Sequence, residues 1–562
     1  VRSLRIYIMC GIFGGFGVKE FEAQKAIGMI RRGEDGTTVE QLTKNVVFAA
    51  RRHLVKKSGN DDIQKSDQPY FSSEKKIALI FNGEFYNFQD YKKKLLEDKI
   101  KFNSIGDTEV FLKLYEKKGI EFLYDRKIDS LFAIAIFDSL RKKIIITRDW
   151  PGRIPLYYYY DKKRFIFSSE LKAFKAIKNL SLQDPIELEP GHYVEFDLKK
   201  NNLKKIKYFE VKNNLIKKDQ KILDIGLKLH KLLDKSAKNR TMSDVPICTM
   251  LSGGIDSVLS TFYVFKNLDF KNINYQPTSY VFSVKDFKSP DVEKARIAAK
   301  SFSEINLKLI EINAQREKIV EDASSIIETF EMRKMKALSF YPLPIYWFLA
   351  PQMRKDGFKV TIGGHGVDEL LGAYDSWKEL NKPHEVQIRP ISRLAFINNI
   401  YNNMLKRASI IFMNRGPIEA RFPFLNPDVC EYMLSIDRKW LQLNPTNAEI
   451  LLNLLEKKKL KNLEKLKETI HSYLANPELF DKHPEDYAFD LKKIFWKFPL
   501  IVSSYFASEE SFLGFDQVFN PKLRGQHGAG ITSVEKDIIK KYTMLGKTDT
   551  EIFKTMATNI FA

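Results

Sequence analysis

Between residues 246 and 372 short apolar runs alternate with stretches of helical period. PICTML leads to a helix from about Ser257, SYVFSV to a helix around residues 292–302, LKLIEI follows, and FKVTIGG leads to a helix from about Asp368. Strands separated by helices share a sheet by parallel crossovers, which puts helices on both faces, so this part of the chain is expected to be α/β. Residues 9–197 have a different rhythm: IALIFNGEFYN, LFAIAIFDS, KIIITRD, PLYYYYD, RFIFSSE and GHYVEFD are β-branched and aromatic runs closed by turn residues. They predict antiparallel sheet with a few helices, among them 89–97 and 108–117. The expected organisation is a first domain over 9–198, a Lys- and Asn-rich linker over 199–218, and a second domain over 219–562. After about residue 438 the second domain turns helical and divergent, with solvated lysine faces such as LLNLLEKKKLKNLEKLKE.

A length of 562 residues leaves room for two to four domains, and 44% hydrophobic with 29% charged residues is an ordinary globular composition. Three cysteines without a CxxC make neither a disulfide framework nor a thiolate zinc site, which points to a reducing compartment, the cytoplasm. The apolar run LFAIAIF falls far short of the roughly 20 residues that span a bilayer, so a soluble protein without a membrane partner is expected. The net charge of +21 is spread along the chain in lysine pairs and triples, with no RNP motif, zinc finger or arginine-rich arm. It therefore reads as a compositional bias, and no specific nucleic-acid partner is expected.

Two strings carry chemistry. In MCGIFGGFG, Cys10 follows Met9 and becomes the first residue once that Met is removed. Its own α-amino group, with a pKa near 7.7 to 8.0, can then take the thiol proton. Residues 1–8, VRSLRIYI, are too short for a signal peptide. The functional chain is accordingly expected to begin at Met9, with those eight residues an over-extended reading of the gene or a cleaved propeptide. In VPICTMLSGGIDSVLSTF a strand, a Ser-Gly-Gly turn and a helix start follow one another, so backbone N–H groups face one point and form an anion site. It is not a Walker A loop, having no Gly-Lys-Ser/Thr.

With RRGEDG, NGEFYN, GDTEV, TRDWPGRIPLYYY, FSSELKAF and LEPGHYVEFD following CGIFGGFG in order, residues 9–430 resemble the class II glutamine amidotransferases, specifically the asparagine synthetase branch. The resemblance implies an α+β glutaminase domain of N-terminal nucleophile type, with antiparallel sheets sandwiched between helices. An α/β ATP-pyrophosphatase domain with a parallel sheet and a helical C-terminal region would follow. Cys10 then matches the nucleophile, and the Asn82 amide and Gly83 N–H the oxyanion hole. Asp107 and Glu84 match the grip on free glutamine. Arg52, or its neighbour Arg51, matches the clamp on the glutamine carboxylate; FAARRHL departs from the usual order, so the register stays open between the two.

SGGIDS resembles the pyrophosphate loop of ATP pyrophosphatases, which implies an ATP site built from Leu251, Ser252, Gly253, Gly254, Asp256 and Ser257. Gly364 joins it from TIGGHGVDELLGAY, similar to the family's SGEGxDE loop. Asp256 and Asp368 would be the two oxygen ligands of Mg²⁺. Lys522 stands six residues before Gly528, as the family's catalytic lysine stands before its Gly-x-Gly, and would stabilise departing pyrophosphate. Three departures bear on the acceptor and its surroundings: His365 stands where the family has glutamate, RKMKALSFYP replaces a Thr-Ile-Arg-like segment, and Asn426 replaces an Asp in EARFPFLN.

The resemblance thus implies glutamine hydrolysis at Cys10, a protein-enclosed ammonia path, and amidation of a carboxylate through an acyl-adenylate, with L-aspartate the expected acceptor. The rivals are another acid or a lactam closure on the same scaffold, and a non-catalytic metabolite-binding descendant. The oligomeric state stays open, a homodimer among the options.

Overall fold

The computed structural model describes residues 7–33, 36–54, 67–211, 219–243, 245–268, 273–372, 393, 397, 400, 405–478, 489–510, 512–519 and 525–562. In its first half, β1 (Tyr7–Phe16), β2 (Gly36–Thr43), β3 (Val46–Leu54), β4 (Tyr70–Phe71), β5 (Ile77–Phe85) and β6 (Ser130–Asp138) are followed by β7 (Lys143–Arg148), β8 (Tyr157–Tyr160), β9 (Phe165–Ser168), β10 (Ile186–Glu187), β11 (His192–Asp197) and β12 (Asn202–Lys207). They form two six-stranded sheets, β10-β8-β9-β1-β3-β2 and β12-β11-β7-β6-β5-β4, every pair in them antiparallel.

Side-chain alternation explains the layering. Ile12, Phe48, Ala50 and Phe167 of one sheet bury against Ile80, Ala133, Ala135 and Ile146 of the other. Their strand neighbours Phe13, Val47 and Ala49, like Leu79, Phe81 and Ile134, point outward into a second core with the helices Glu20–Met29 and Asp107–Lys118. A one-residue slip would exchange the two faces, so both registers are fixed by burial. The helices predicted over 89–97 and 108–117 occur as Phe88–Glu97 and Asp107–Lys118.

The stretch expected as linker over 199–218 is partly sheet. β12 pairs with β11 along its length, and the turn before it is held by Asp197 Oδ1, which accepts from the backbone of Lys199 and Lys200 at 2.9 Å each. Its lysines made NLKKIK look like linker, yet lysine is a common guard on an edge strand that must not recruit another chain.

In the second half, β13 (Ile247–Met250), β14 (Thr278–Val284), β15 (Lys308–Ala314), β16 (Val360–Ile362) and β17 (Glu419–Arg421) build a parallel sheet of order β15-β14-β13-β16-β17. Neighbours on either side of β13 are reached by crossovers in opposite directions, so a crevice opens beyond the carboxyl ends of β13 and β16, the usual ligand position in such sheets. Beyond it lie helices, among them Pro445–Lys458, Glu464–Ala475 and Phe498–Glu510. No helix among the described residues is long and apolar enough to cross a membrane.

Candidate active sites

The glutaminase candidates gather where β1, β3 and β5 meet. Cys10 lies on β1 at a register shift between Ile8 and Gly11, a local break in the ladder with β3; its side chain is outside the described residues. On the facing sheet, Asn82 of β5 is fully buried and donates through Nδ2 to Ser169 Oγ at 3.1 Å. The same hydroxyl accepts from the backbone N–H of Ile12 at 3.0 Å, so Ser169 ties the expected oxyanion amide to the strand that carries Cys10. Gly83 cannot be replaced in place: at φ +150° a Cβ would stand 2.0 Å from the carbonyl oxygen of Leu131 on β6.

Asp107 opens its helix and accepts from the Phe85 N–H at 3.0 Å, which joins it to the end of the same strand. Glu84 is also brought there, but its Oε2 lies 4.0 Å from Arg421 of the second half. Of the two clamp candidates, Arg51 donates to the Ile30 carbonyl at 2.5 Å, whereas Arg52 makes an ion pair with Asp67. Glu170 holds Arg31 and Arg32, the first two residues of RRGEDG. Its carboxylate accepts from the backbone of Arg31 and Arg32 and from Arg32 Nε at 3.1 Å, and Lys172 and Arg32 hold it below the usual carboxylate range against the upward push of burial. The other cysteines, Cys248 and Cys430, are buried, and burial pushes both thiols up, Cys248 to about 12. Neither thiol is suited to nucleophilic work near neutral pH.

The synthetase candidates sit in the crevice of the parallel sheet. After β13 the loop turns at Gly253, whose φ of +73° and close approach to the Lys294 backbone require glycine. Ser257 Oγ closes the loop by accepting from Ser252 N at 3.1 Å and donating to the Gly254 carbonyl at 2.9 Å. Gly254 caps the helix Ile255–Asn267 without a side chain, so the first-turn N–H groups receive no side-chain cap and suit an anion. Leu251 is buried behind the loop, its N–H on the Tyr280 carbonyl.

The loop after β16 comes against the first one at Gly364, where a Cβ would lie 2.6 Å from the Asp256 backbone. Asp256 and Asp368, each in the first turn of its helix, therefore converge. One cation already bridges them: Lys497 Nζ is 2.6 Å from Asp256 Oδ2 and 2.7 Å from Asp368 Oδ1. Two carboxylates about 5 Å apart repel by about 3 kcal/mol at an effective dielectric constant of about 20, so the pair needs a positive charge between them. Burial lowers the Lys497 ammonium, but the two carboxylates outweigh it and hold it above the ordinary lysine value.

A hard divalent ion suits this donor set, with the ammonium as its stand-in. Among the described residues no group of three or more His, Cys, Asp or Glu side chains could hold a metal ion. His365 accepts from or donates to Tyr346 OH at 2.9 Å and packs edge-on against Phe422. Lys522 lies outside the described residues. The Gly528–Gly530 segment after it is stitched to the end of β14, the Gly528 carbonyl accepting from Ser289 Oγ at 2.8 Å and the Ala529 carbonyl from Val284 N at 3.0 Å.

Lys497, Ser169 and Tyr346 were not found from the sequence. Lys497 had one signal, a single lysine inside the apolar run IFWKFPLIV; Ser169 lies within FSSELKAF without a role assigned to it, and Tyr346 had no signal.

The sequence matches the glutamine amidotransferase domain family over residues 9–189 and the asparagine synthase family over residues 228–390. It is 26% identical over 453 residues to asparagine synthetase B, glutamine-hydrolysing, of Escherichia coli (strain K12), covering 76% of this chain and 75% of that protein. With the glutamine-hydrolysing asparagine synthetase 2 of Arabidopsis thaliana it shares 28% over 398 residues, 69% of this chain and 64% of that one. A solved glutamine phosphoribosylpyrophosphate amidotransferase from B. subtilis aligns at 17% identity with a TM-score of 0.30, over 46% of this chain and 64% of that one. The chain thus joins a glutamine amidotransferase domain to an asparagine synthase domain, and over most of its length it is similar to glutamine-hydrolysing asparagine synthetases.

Proposed function

We propose that the protein is a cytoplasmic carbon–nitrogen ligase that hydrolyses glutamine and uses the ammonia to convert L-aspartate to L-asparagine, with ATP cleaved to AMP and pyrophosphate. The Cys10 thiolate attacks the glutamine amide carbon, ammonia leaves, and water then releases glutamate from the glutamyl thioester. Asn82 and Gly83 donate to the oxyanion, each worth about 2.7 to 4 kcal/mol in the transition state. Asp107 and Glu84 hold the substrate ammonium, and Arg52 exchanges Asp67 for the substrate carboxylate. In the second half the acceptor carboxylate displaces pyrophosphate from the α-phosphorus of ATP, and ammonia then displaces AMP from the acyl-adenylate.

The loop from Leu251 to Ser257, with Gly364 behind it, cradles the phosphates through the N–H groups of its Gly253–Asp256 turn, and Lys522 stabilises the departing pyrophosphate. Asp256 and Asp368 hold Mg²⁺, which supplies neutralisation of the phosphate charge. His365 takes the proton that the attacking ammonia loses, with Tyr346 fixing its ring. The observation that carries this reading is the convergence of Asp256 and Asp368 on one cation at the mouth of the parallel sheet.

C10A should abolish glutamine-dependent amidation and spare the reaction with ammonium salts. D368N should remove pyrophosphate release with either nitrogen source and leave glutamine hydrolysis intact. Equal losses in both assays for both variants would sink the division of labour. His365 favours a second reading, amidation of another acid, because a histidine cannot offer the fixed negative charge of glutamate to an amino-acid ammonium. Pyrophosphate release across a panel of carboxylates, including L-aspartate and β-amino acids, separates the two: turnover with another acid and none with aspartate would overturn the asparagine assignment alone.

A further inference from the structure

The proposed reaction makes no use of Lys497, although its ammonium stands at the point where both metal-binding carboxylates converge. Its backbone has little freedom. Phe495 and Phe498 on either side are fully buried, and the Lys497 carbonyl accepts from Leu500 and Ile501 at 2.9 and 3.0 Å. The two aspartates are equally constrained, each in a first helical turn and with Gly364 packed against the Asp256 backbone. The carboxylates therefore cannot relieve their repulsion by separating. What can move is the flexible four-carbon stem of the lysine, 19% exposed on the crevice side.

We propose that Lys497 is the resident counter-ion of the magnesium position, neutralising Asp256 and Asp368 while nucleotide is absent and yielding the position when Mg·ATP binds. This rests on the reading of Asp256 and Asp368 as the metal ligands. The free enzyme then has little affinity for a bare divalent ion, and the metal enters as the nucleotide complex. K497M and K497Q remove that bridging ammonium from between the two carboxylates, so the position opens to a divalent ion.

The test uses the full chain without nucleotide and reads metal binding rather than turnover. Free Mn²⁺ is counted by electron paramagnetic resonance, and thermal unfolding is followed in EDTA and in MgCl₂. K497M and K497Q should bind Mn²⁺ at least tenfold more tightly than wild type, and D256N added to K497Q should remove the gain. Both variants should unfold at a lower temperature than wild type in EDTA and recover in MgCl₂, while K497R stays close to wild type. Mn²⁺ affinity equal to wild type in either folded variant would overturn the exchange and leave Lys497 a plain structural ion pair. If ATP brings no more Mn²⁺ to the wild type than to D368N, the metal assignment itself fails, and the inference falls with it. Two substitutions of different polarity keep the test open to a folding failure in either.

Discussion

At position 426 the exchange of one oxygen for one nitrogen decides how a buried neighbour is satisfied. Asn426 Oδ1 caps the helix Pro427–Leu434 by accepting from Asp428 N at 2.9 Å and Val429 N at 3.2 Å. Its Nδ2 donates to Asp129 Oδ2 at 2.9 Å, across the boundary between the halves. Burial pushes the Asp129 carboxyl up, but Arg240, at 2.8 and 2.9 Å, holds it below the usual range, so it is ionised. An aspartate would cap the helix equally well and set a second carboxylate against the first. N426D should therefore lower the unfolding temperature at pH 8, by an equivalent of about 1 to 3 kcal/mol, and lower it less at pH 5, where a protonated carboxyl can donate. A loss independent of pH would mean that packing, not charge, sets the preference. The departure from the family's Asp was legible in the sequence; its cause was not, because Asp129 lies 297 positions away.

At the scale of elements, the two loops of the synthetase crevice work as one unit because glycine lets them touch. G364A places a methyl group 2.6 Å from the Asp256 carbonyl carbon and oxygen, and backbone must shift to accept it. Pyrophosphate release should fall at least tenfold with either nitrogen source while glutamine hydrolysis stays at the wild-type rate; unchanged pyrophosphate release would show that the loops tolerate separation. Elements with strong periodicity were legible: β5, β6, β7, β13, β14 and β15 stand where apolar runs bounded by turn residues predict them. β12 was hidden by its lysines. The three-residue β17 was hidden inside EARFPFLN, a string whose charged residues Glu419 and Arg421 pair with each other at 2.6 Å in full burial rather than facing solvent. Local pattern cannot reveal a strand whose polar side chains are satisfied only after folding.

Across the whole molecule, the halves are joined by buried charge. One cluster holds Asp129, Arg240, Asn426, Arg421 and Glu84, with both guanidinium groups over the Tyr86 ring. In the other, Glu331 of the second half accepts from the Lys172 N–H at 3.4 Å, beside Glu170, the carboxylate that holds Arg32. Lys406 reaches across to Glu187 at 2.8 Å. Burial pushes the Glu331 carboxyl up to about 7, and the neighbouring charge of Glu170 adds to the rise. The folded chain therefore binds more protons than the unfolded one between the ordinary carboxylate range and about pH 7. The resulting stability is fully present below the unfolded value and is lost as pH rises through about 7.

E331Q keeps the shape and removes the titration. It should match wild type in urea unfolding at pH 5 and exceed it at pH 8 by on the order of 2 kcal/mol, because only wild type must then ionise a second carboxylate beside Glu170. A difference that stays constant from pH 5 to 8 would show that Glu331 does not take up its proton in the folded state. The effect belongs to the assembled molecule, since Glu170 and Glu331 come from different halves and neither half alone sets the two acids side by side.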